Sequence, residues 1–385
     1  MHKEMAQCAR DASGTPAENL FKPLTIGSLE LANRIVMAPM TRSMAPDGVP
    51  TEASAAYYRA RVKGGTGLIV TEGTWVPHPQ ASNSVTIPRF FGADALAGWA
   101  RVLEEVHAEG GKIVPQLWHI GVFDMTPAEG LVYEKPADQV PIGPSGLLRS
   151  GQPMGRAMTQ KDIDAVIDAF ATAAASAFAL GFDGVELHGA HGYLIDQFFW
   201  HETNVRDDAY GGTLAKRTRF AAEIVGEIRR RTAPDFPIIL RLSQWKLQNY
   251  AACLAQDPKE FESFLAPLAN AGVDVFHCSQ RRFWEPAFAG SDLNVAGWAK
   301  KITGRRSIAV GSVSLDKDMQ ASLFSNLPVS VTRIDELYDR MDRNEFDLIA
   351  VGRALIADAN WADKVSRNAL DELIPYDNKL LAALV

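Results

Sequence analysis

Eight short apolar runs, rich in β-branched residues, alternate along this chain with longer stretches of helical periodicity. The runs predict strands over residues 34–39, 67–72, 112–118, 184–188, 237–242, 273–279, 307–311 and 347–352. Most are continuously apolar rather than alternating, as strands buried on both faces are. Amphipathic stretches over 95–109, 161–180, 214–232 and 258–271 predict helices between them, and Thr159 followed three residues on by Asp162 marks the start of one. Strand and helix in strict alternation imply a parallel sheet. Eight such units close into an α/β (β/α)8 TIM barrel. A doubly wound open sheet is the runner-up, but no Gly-x-Gly-x-x-Gly follows the first strand. Lys63-Gly64-Gly65-Thr66-Gly67 precedes a strand and reads as a turn.

Two connections are too long to be simple loops. Residues 121–156 carry Pro127, Pro136, Pro141, Pro144 and Pro153 after strand 3, on the side where long loops shape a pocket. Residues 314–344 show a Leu and Ile spacing that predicts a helical insertion after strand 7. No internal repeat of solenoid length is evident. The organisation expected is a polar, mobile leader over 1–19, then one barrel domain over 20–385 with a C-terminal tail.

Composition narrows the function. With 385 residues, 47% hydrophobic and 22% charged, the chain can bury a large core. A net charge of -7 and a pI near 5.7 argue against a nucleic-acid surface. The short clusters Arg229-Arg230-Arg231 and Arg305-Arg306 read as solvated helix ends. Three scattered cysteines, Cys8, Cys253 and Cys278, favour a reducing compartment over a disulfide framework. No uninterrupted apolar run reaches the ~18 residues of a membrane span, and residues 1–18 lack the apolar stretch of a secretory signal. A cytoplasmic protein with no membrane or nucleic-acid partner is the expectation.

The chemistry concentrates in His188-Gly189-Ala190-His191-Gly192-Tyr193, just past the carboxyl end of the fourth predicted strand. Barrels of this kind keep their reactive groups at that end. Two imidazoles can donate hydrogen bonds to one substrate oxygen, and a nearby phenol can deliver a proton. Together they suit the reduction of a polarised double bond. Read as a metal site, the pair lacks the further ligand zinc requires, and no metal is expected. Arg241, inside a strand, needs an anionic partner on any reading. Taken singly, Tyr193, Trp118 and Thr41 would be core or turn residues.

Several motifs at the predicted strand ends point one way: Ala38-Pro39-Met40-Thr41-Arg42, Thr71-Glu72-Gly73, Gln116-Leu117-Trp118, the His188–Tyr193 segment, Arg241, Gly311-Ser312-Val313 and Val351-Gly352-Arg353. Tyr210-Gly211-Gly212 followed by Arg217 and Arg219-Phe220 extends the set. From about Leu20 to Val365 the chain resembles the Old Yellow Enzyme family of FMN-dependent ene-reductases.

That resemblance implies tightly bound FMN, with NADH or NADPH as reductant. Pro39, Met40 and Thr41 would contact the flavin, Thr41 at the carbonyl beside N5. A thermophilic-type branch has cysteine at Thr41, so this chain departs from it. Gly73 would let the ring lie against backbone, Gln116 would bond its pyrimidine edge, and Arg241 would sit by N1 and O2. Gly311, Ser312, Gly352 and Arg353 would hold the phosphate. His188 and His191 would bind the carbonyl or nitro oxygen of an electron-poor alkene, and Tyr193 would protonate its α-carbon. Many relatives have asparagine in place of His191. Trp118 and Tyr376 would line the substrate pocket. The implied activity is NAD(P)H-dependent ping-pong reduction of the C=C bond of α,β-unsaturated carbonyl or nitro compounds, by a monomer or homodimer. Branches acting on nitrate esters, nitroaromatics or amines are the alternatives, as is a flavin-free barrel isomerase or lyase. The segments 243–250 and 281–286 depart from better-known members, so substrate range does not carry over.

Overall fold

The computed structural model describes residues 17–124, 140–325, 327–332 and 334–385. Eight parallel strands form a closed barrel: β1 (Ile35–Met37), β2 (Leu68–Trp75), β3 (Ile113–Trp118), β4 (Val185–His191), β5 (Ile238–Lys246), β6 (Val275–Ser279), β7 (Arg306–Val310) and β8 (Leu348–Val351). Each pairs with its neighbour in sequence, and β8 closes the cylinder on β1 through Ile349, Ala350 and Val351. All eight predicted strands are present. Several run further than their apolar core: β2 reaches Trp75, β4 reaches His191 and β5 reaches Lys246.

Helices α1 (Glu52–Lys63), α2 (Ala93–Ala108), α3 (Gln160–Leu180), α4 (Arg219–Arg231), α5 (Pro258–Ala271), α6 (Val295–Thr303) and α7 (Asp335–Asp342) fall between the strands. At the start of α3, Thr159 and Asp162 form the anticipated reciprocal cap. By length and apolar composition alone α3 could cross a membrane. Here its apolar stripe, including Ile163, Val166 and Phe170, is buried in the core instead. The helix expected over 214–232 is broken at Thr218, whose hydroxyl donates to Ala215 O. Arg217, in the preceding turn Leu214–Arg217, donates to Phe199 O and Gly212 O.

Of the expected leader, residues 1–16 lie outside the described residues, while Ala17 is buried and Glu18–Phe21 forms a 3-10 turn. In the long loop after β3, Pro127 and Pro136 likewise lie outside them. The rest of that loop is a small β excursion: Ile142–Gly143 pairs with Arg156–Ala157, and Leu147–Arg149 with Gln152–Pro153. The stretch after β7 carries a π turn, Gln320–Phe324, and then α7.

The barrel interior changes character along its axis. At the amino-terminal end Val36, Leu68, Val114, Ile239, Val275 and Ile308 form an apolar layer, joined by Leu24, Ile26, Leu29 and Leu31 of the hairpin Leu24–Ile26/Leu29–Leu31. One pleat further on, the inward positions of β3 to β6 turn polar. Glu186 on β4 reaches His277 on β6, two strands away, so both project into the barrel. A polar layer at the carboxyl end of a parallel barrel, above an apolar floor, is where a reactive site can be wet and still rigidly held.

Candidate active site

The carboxyl end of β4 and the turn after it present His188, His191 and Tyr193. Its backbone is unusual, since His191 and Gly192 both have positive φ, 65° and 83°. A non-glycine residue in that region is held there by its surroundings, and every link is visible. His191 N–H donates to Ser243 Oγ (2.9 Å), and His191 O accepts from Leu247 N–H. Gly192 N–H donates to Asp196 Oδ2 (2.7 Å), and Gly192 O accepts from Gln197 Nε2 and Gln248 Nε2. The rings converge as a result. Those of His188 and His191 lie 5.2 Å apart and those of His188 and Tyr193 4.8 Å apart, both edge to face. Trp118 and Phe123 pack on the Tyr193 ring at 5.4 and 5.0 Å.

A buried ion pair anchors this turn to β5. Lys246 Nζ lies 2.6 Å from Asp196 Oδ1 and donates also to Ser243 O, and neither side chain of the pair is exposed. Burial pushes the Lys246 ammonium down, with Asp196 opposing, and pushes the Asp196 carboxyl up, with Lys246 opposing. Next to Lys246, Trp245 stacks on His191 at 4.6 Å, and Tyr250 stacks on Trp245 at 5.0 Å. Burial first, and Arg241 second, hold both imidazoles well below the usual histidine range, so both are neutral near pH 7.

Gln116, Glu186 and His277 form a chain across the barrel. Gln116 Nε2 donates to Glu186 Oε1 (2.8 Å), and Glu186 Oε2 is 2.6 Å from His277 Nδ1. That contact orients the Gln116 amide and turns its Oε1 toward Gly73, whose pairing with Gln116 sets the two side by side. Both Glu186 oxygens are engaged, and among the described residues no carboxylate forms an ion pair with Arg241, although the Glu186 charge acts on it. Arg241 is buried, and its Nε has no partner among the described residues; the same holds for His188 Nδ1. Buried polar groups of this kind ordinarily have partners. A ligand edge beside Gln116 and Arg241 that accepts hydrogen bonds and carries negative charge would provide the one Arg241 Nε lacks.

Thr41 is exposed at the end of β1, on a loop held by Glu72, whose Oε2 accepts from Arg42 N–H (2.8 Å) and Ser43 N–H (3.1 Å). Burial raises the Glu72 carboxyl to about 7. Pro39 and Met40 are half-buried, and Met40 Sδ is the atom nearest to where a side chain on Gly352 would begin. Gly311, at φ 149°, leaves no room for a side chain, because a Cβ there would meet Gln280 O at 2.5 Å. Ser312 Oγ donates to Arg281 O. Arg353 opens the short helix Arg353–Ala357, and its guanidinium donates to Lys317 O, Asp318 O and Ser322 Oγ. It therefore organises the loop after β7. Tyr376 is buried under Arg353. This places it at the β8 side of the mouth, whereas Trp118 stands against Tyr193.

Known proteins resemble this chain in sequence and in fold. Residues 19–372 fit the model of the NADH:flavin oxidoreductase / NADH oxidase family. The chain belongs to that family. Membership makes it an Old Yellow Enzyme-type flavin oxidoreductase, using FMN and an NADH-type reductant on small molecules. It is 36% identical to chanoclavine-I aldehyde reductase of Penicillium roqueforti over 93% of this chain and 91% of that protein. It is 35% identical to the NADH oxidase of Thermoanaerobacter brockii over 92% of this chain, but spans only 52% of that protein's length. Among solved structures, morphinone reductase matches with a TM-score of 0.76 at 28% identity, covering 94% of this chain and 92% of that one.

Within this family frame, five residues of the site were not singled out from sequence: Glu186, Asp196, Lys246, His277 and Ser279. A signal for three of them was there. In Val185-Glu186-Leu187-His188, Leu240-Arg241-Leu242-Ser243 and Phe276-His277-Cys278-Ser279, a polar residue occupies every second place of an otherwise apolar strand. Period two in a buried strand marks one face as a polar interior. The Asp196–Lys246 pair had no such signal, because Asp196 lies in the short helix Leu194–Phe199 and Lys246 follows Ser243-Gln244-Trp245, where no apolar–polar alternation marks a face.

Proposed function

We propose that this protein holds FMN tightly over the carboxyl end of the barrel and reduces the activated C=C bond of α,β-unsaturated carbonyl or nitro compounds with NADH or NADPH. The observation that carries this reading is the convergence of two neutral imidazoles and a phenol beside a buried guanidinium with an unpaired Nε. Gln116 and Arg241 would hold the pyrimidine edge, Thr41 the carbonyl beside N5, Gly73 the ring face, and the Gly311-Ser312 and Gly352-Arg353 segments the phosphate end. When bound, the flavin would supply the hydride-transfer redox chemistry that links the nicotinamide to the alkene.

The remaining work belongs to side chains. His188 and His191 donate to the carbonyl or nitro oxygen and draw electron density from the β-carbon. Their neutrality suits this role, since a neutral N–H polarises the oxygen without delivering a full proton to it. A preorganised donor to a developing oxyanion contributes roughly 3–4 kcal/mol. Tyr193, its ring held by Trp118, Phe123 and His188, gives its proton to the α-carbon.

Steady-state turnover of cyclohexenone and nitrostyrene, set against a nitrate ester, a nitroaromatic and an amine, tests the reaction class. Faster turnover of the two alkenes supports the reading, and turnover confined to the other three contradicts it. The Arg241 assignment has its own test. Removing a hydrogen bond to a charged group costs about 1.5–3 kcal/mol, so Arg241→Ala should weaken FMN binding roughly 10- to 100-fold in a fluorescence titration. Full occupancy with an unchanged flavin potential would remove Arg241 from the cofactor site.

A further inference from the structure

A neutral imidazole can polarise a substrate oxygen only from the ring nitrogen that carries its proton, so the tautomer of His191 decides whether it acts at all. The turn and the Trp245 stack fix the plane of this ring, and Ser279 at the end of β6 meets one of its nitrogens. Ser279 Oγ lies 2.8 Å from His191 Nε2. Ser279 is buried, and its hydroxyl has no other partner among the described residues. Two arrangements are open. If Nε2 carried the proton and donated to Ser279, the buried hydroxyl hydrogen would have no acceptor, and Nδ1 would present a lone pair that repels a substrate oxygen. If the hydroxyl donates to Nε2, both groups are satisfied and the proton sits on Nδ1. The second arrangement leaves no buried donor unpaired, and such orphans are costly.

We infer that Ser279 is a positioning residue that holds His191 as its Nδ1–H tautomer, making Nδ1 the nitrogen that binds the substrate oxygen. Protonation of the ring would erase the distinction by placing a proton on each nitrogen. Burial, Arg241, His188, Lys246 and His277 all oppose it. The two histidines then differ in origin as well as position. In His188 the buried nitrogen without a partner among the described residues is Nδ1, leaving Nε2 for a substrate, whereas in His191 Nε2 is the engaged nitrogen, leaving Nδ1. The role of Ser279 in catalysis rests on the alkene-reductase reading above, but the tautomer itself does not.

The test is a 15N spectrum of the FMN-loaded protein labelled at histidine, with the His191 signals assigned by their loss in His191→Asn. The expected result is a protonated Nδ1 and an unprotonated Nε2 near neutral pH. In Ser279→Ala the Nε2–H form should gain population, with kcat/KM for cyclohexenone falling about tenfold or more and the flavin potential unchanged. Ser279→Thr, which keeps the hydroxyl, should restore the parent tautomer. A wild-type spectrum with the proton on Nε2 overturns the inference, as does a Ser279→Ala variant with the parent tautomer and kcat/KM. Because the wild-type spectrum needs no substrate, an inactive protein with the Nδ1–H form would sink the alkene reading and leave this one standing.

Discussion

Replacing Tyr193 by phenylalanine should slow alkene reduction by about 10²–10⁴, the usual contribution of a positioned general acid, while NAD(P)H bleaches the flavin at close to the parent rate. The separation follows from geometry. The Tyr193 ring is fixed by packing against Trp118, Phe123 and His188, and phenylalanine keeps those contacts and loses only the hydroxyl. Oxidation of the nicotinamide requires no proton for an α-carbon, so that half-reaction has no use for the phenol. Measuring the two half-reactions separately is the check. Equal losses in both would show that Tyr193 shapes the pocket instead of supplying a proton.

The second large effect falls on stability. Lys246→Met keeps the length of the side chain and strands the Asp196 carboxylate in a site with no exposure. Breaking a buried pair from one side costs about 3–5 kcal/mol. The sign of its pH dependence is also determined. Burial raises the Asp196 carboxyl, and Lys246 is the principal group opposing that rise. Without the lysine the folded-state pKa climbs further above the unfolded value. The deficit is then smallest at acidic pH, where Asp196 is protonated, and grows as pH rises through the folded-state pKa. Asp196→Asn combined with Lys246→Met should recover most of the loss, because asparagine can still accept from Gly192 N–H. Denaturant unfolding of the FMN-loaded proteins across pH measures this. A loss under about 1 kcal/mol, the range of exposed pairs, would mean that the pair does not anchor the catalytic turn.

Much of this architecture was legible in the chain. Short, β-branched apolar runs such as Ile238-Ile239-Leu240 read as strands covered on both faces, and their alternation with capped amphipathic helices leaves few topologies. The positions of His188, His191 and Tyr193 followed from their place after such a run. What periodicity does not convey is register between strands. Arg241 meets His188 on one side and His277 on the other because β4, β5 and β6 pair in step, and only that alignment joins Gln116, Glu186 and His277 into one chain. Ser279 reaches His191 for the same reason, across 88 residues of sequence. Long-range polar contacts also decided how far strands run. The continuation of β5 past Leu242, through Ser243 and Trp245 to Lys246, is stabilised by the turn it supports rather than by apolar pattern. Likewise, the break at Thr218 serves Arg217, whose guanidinium anchors Phe199 O at the end of the segment following the catalytic turn.

Anaerobic stopped-flow on the FMN-loaded protein tests the central claim most directly. NADH or NADPH should bleach the flavin absorbance, and cyclohexenone mixed afterwards should restore it, with restoration but not bleaching slowed in Tyr193→Phe. A protein that neither retains FMN nor, once reconstituted, regains its colour with any activated alkene would contradict the account.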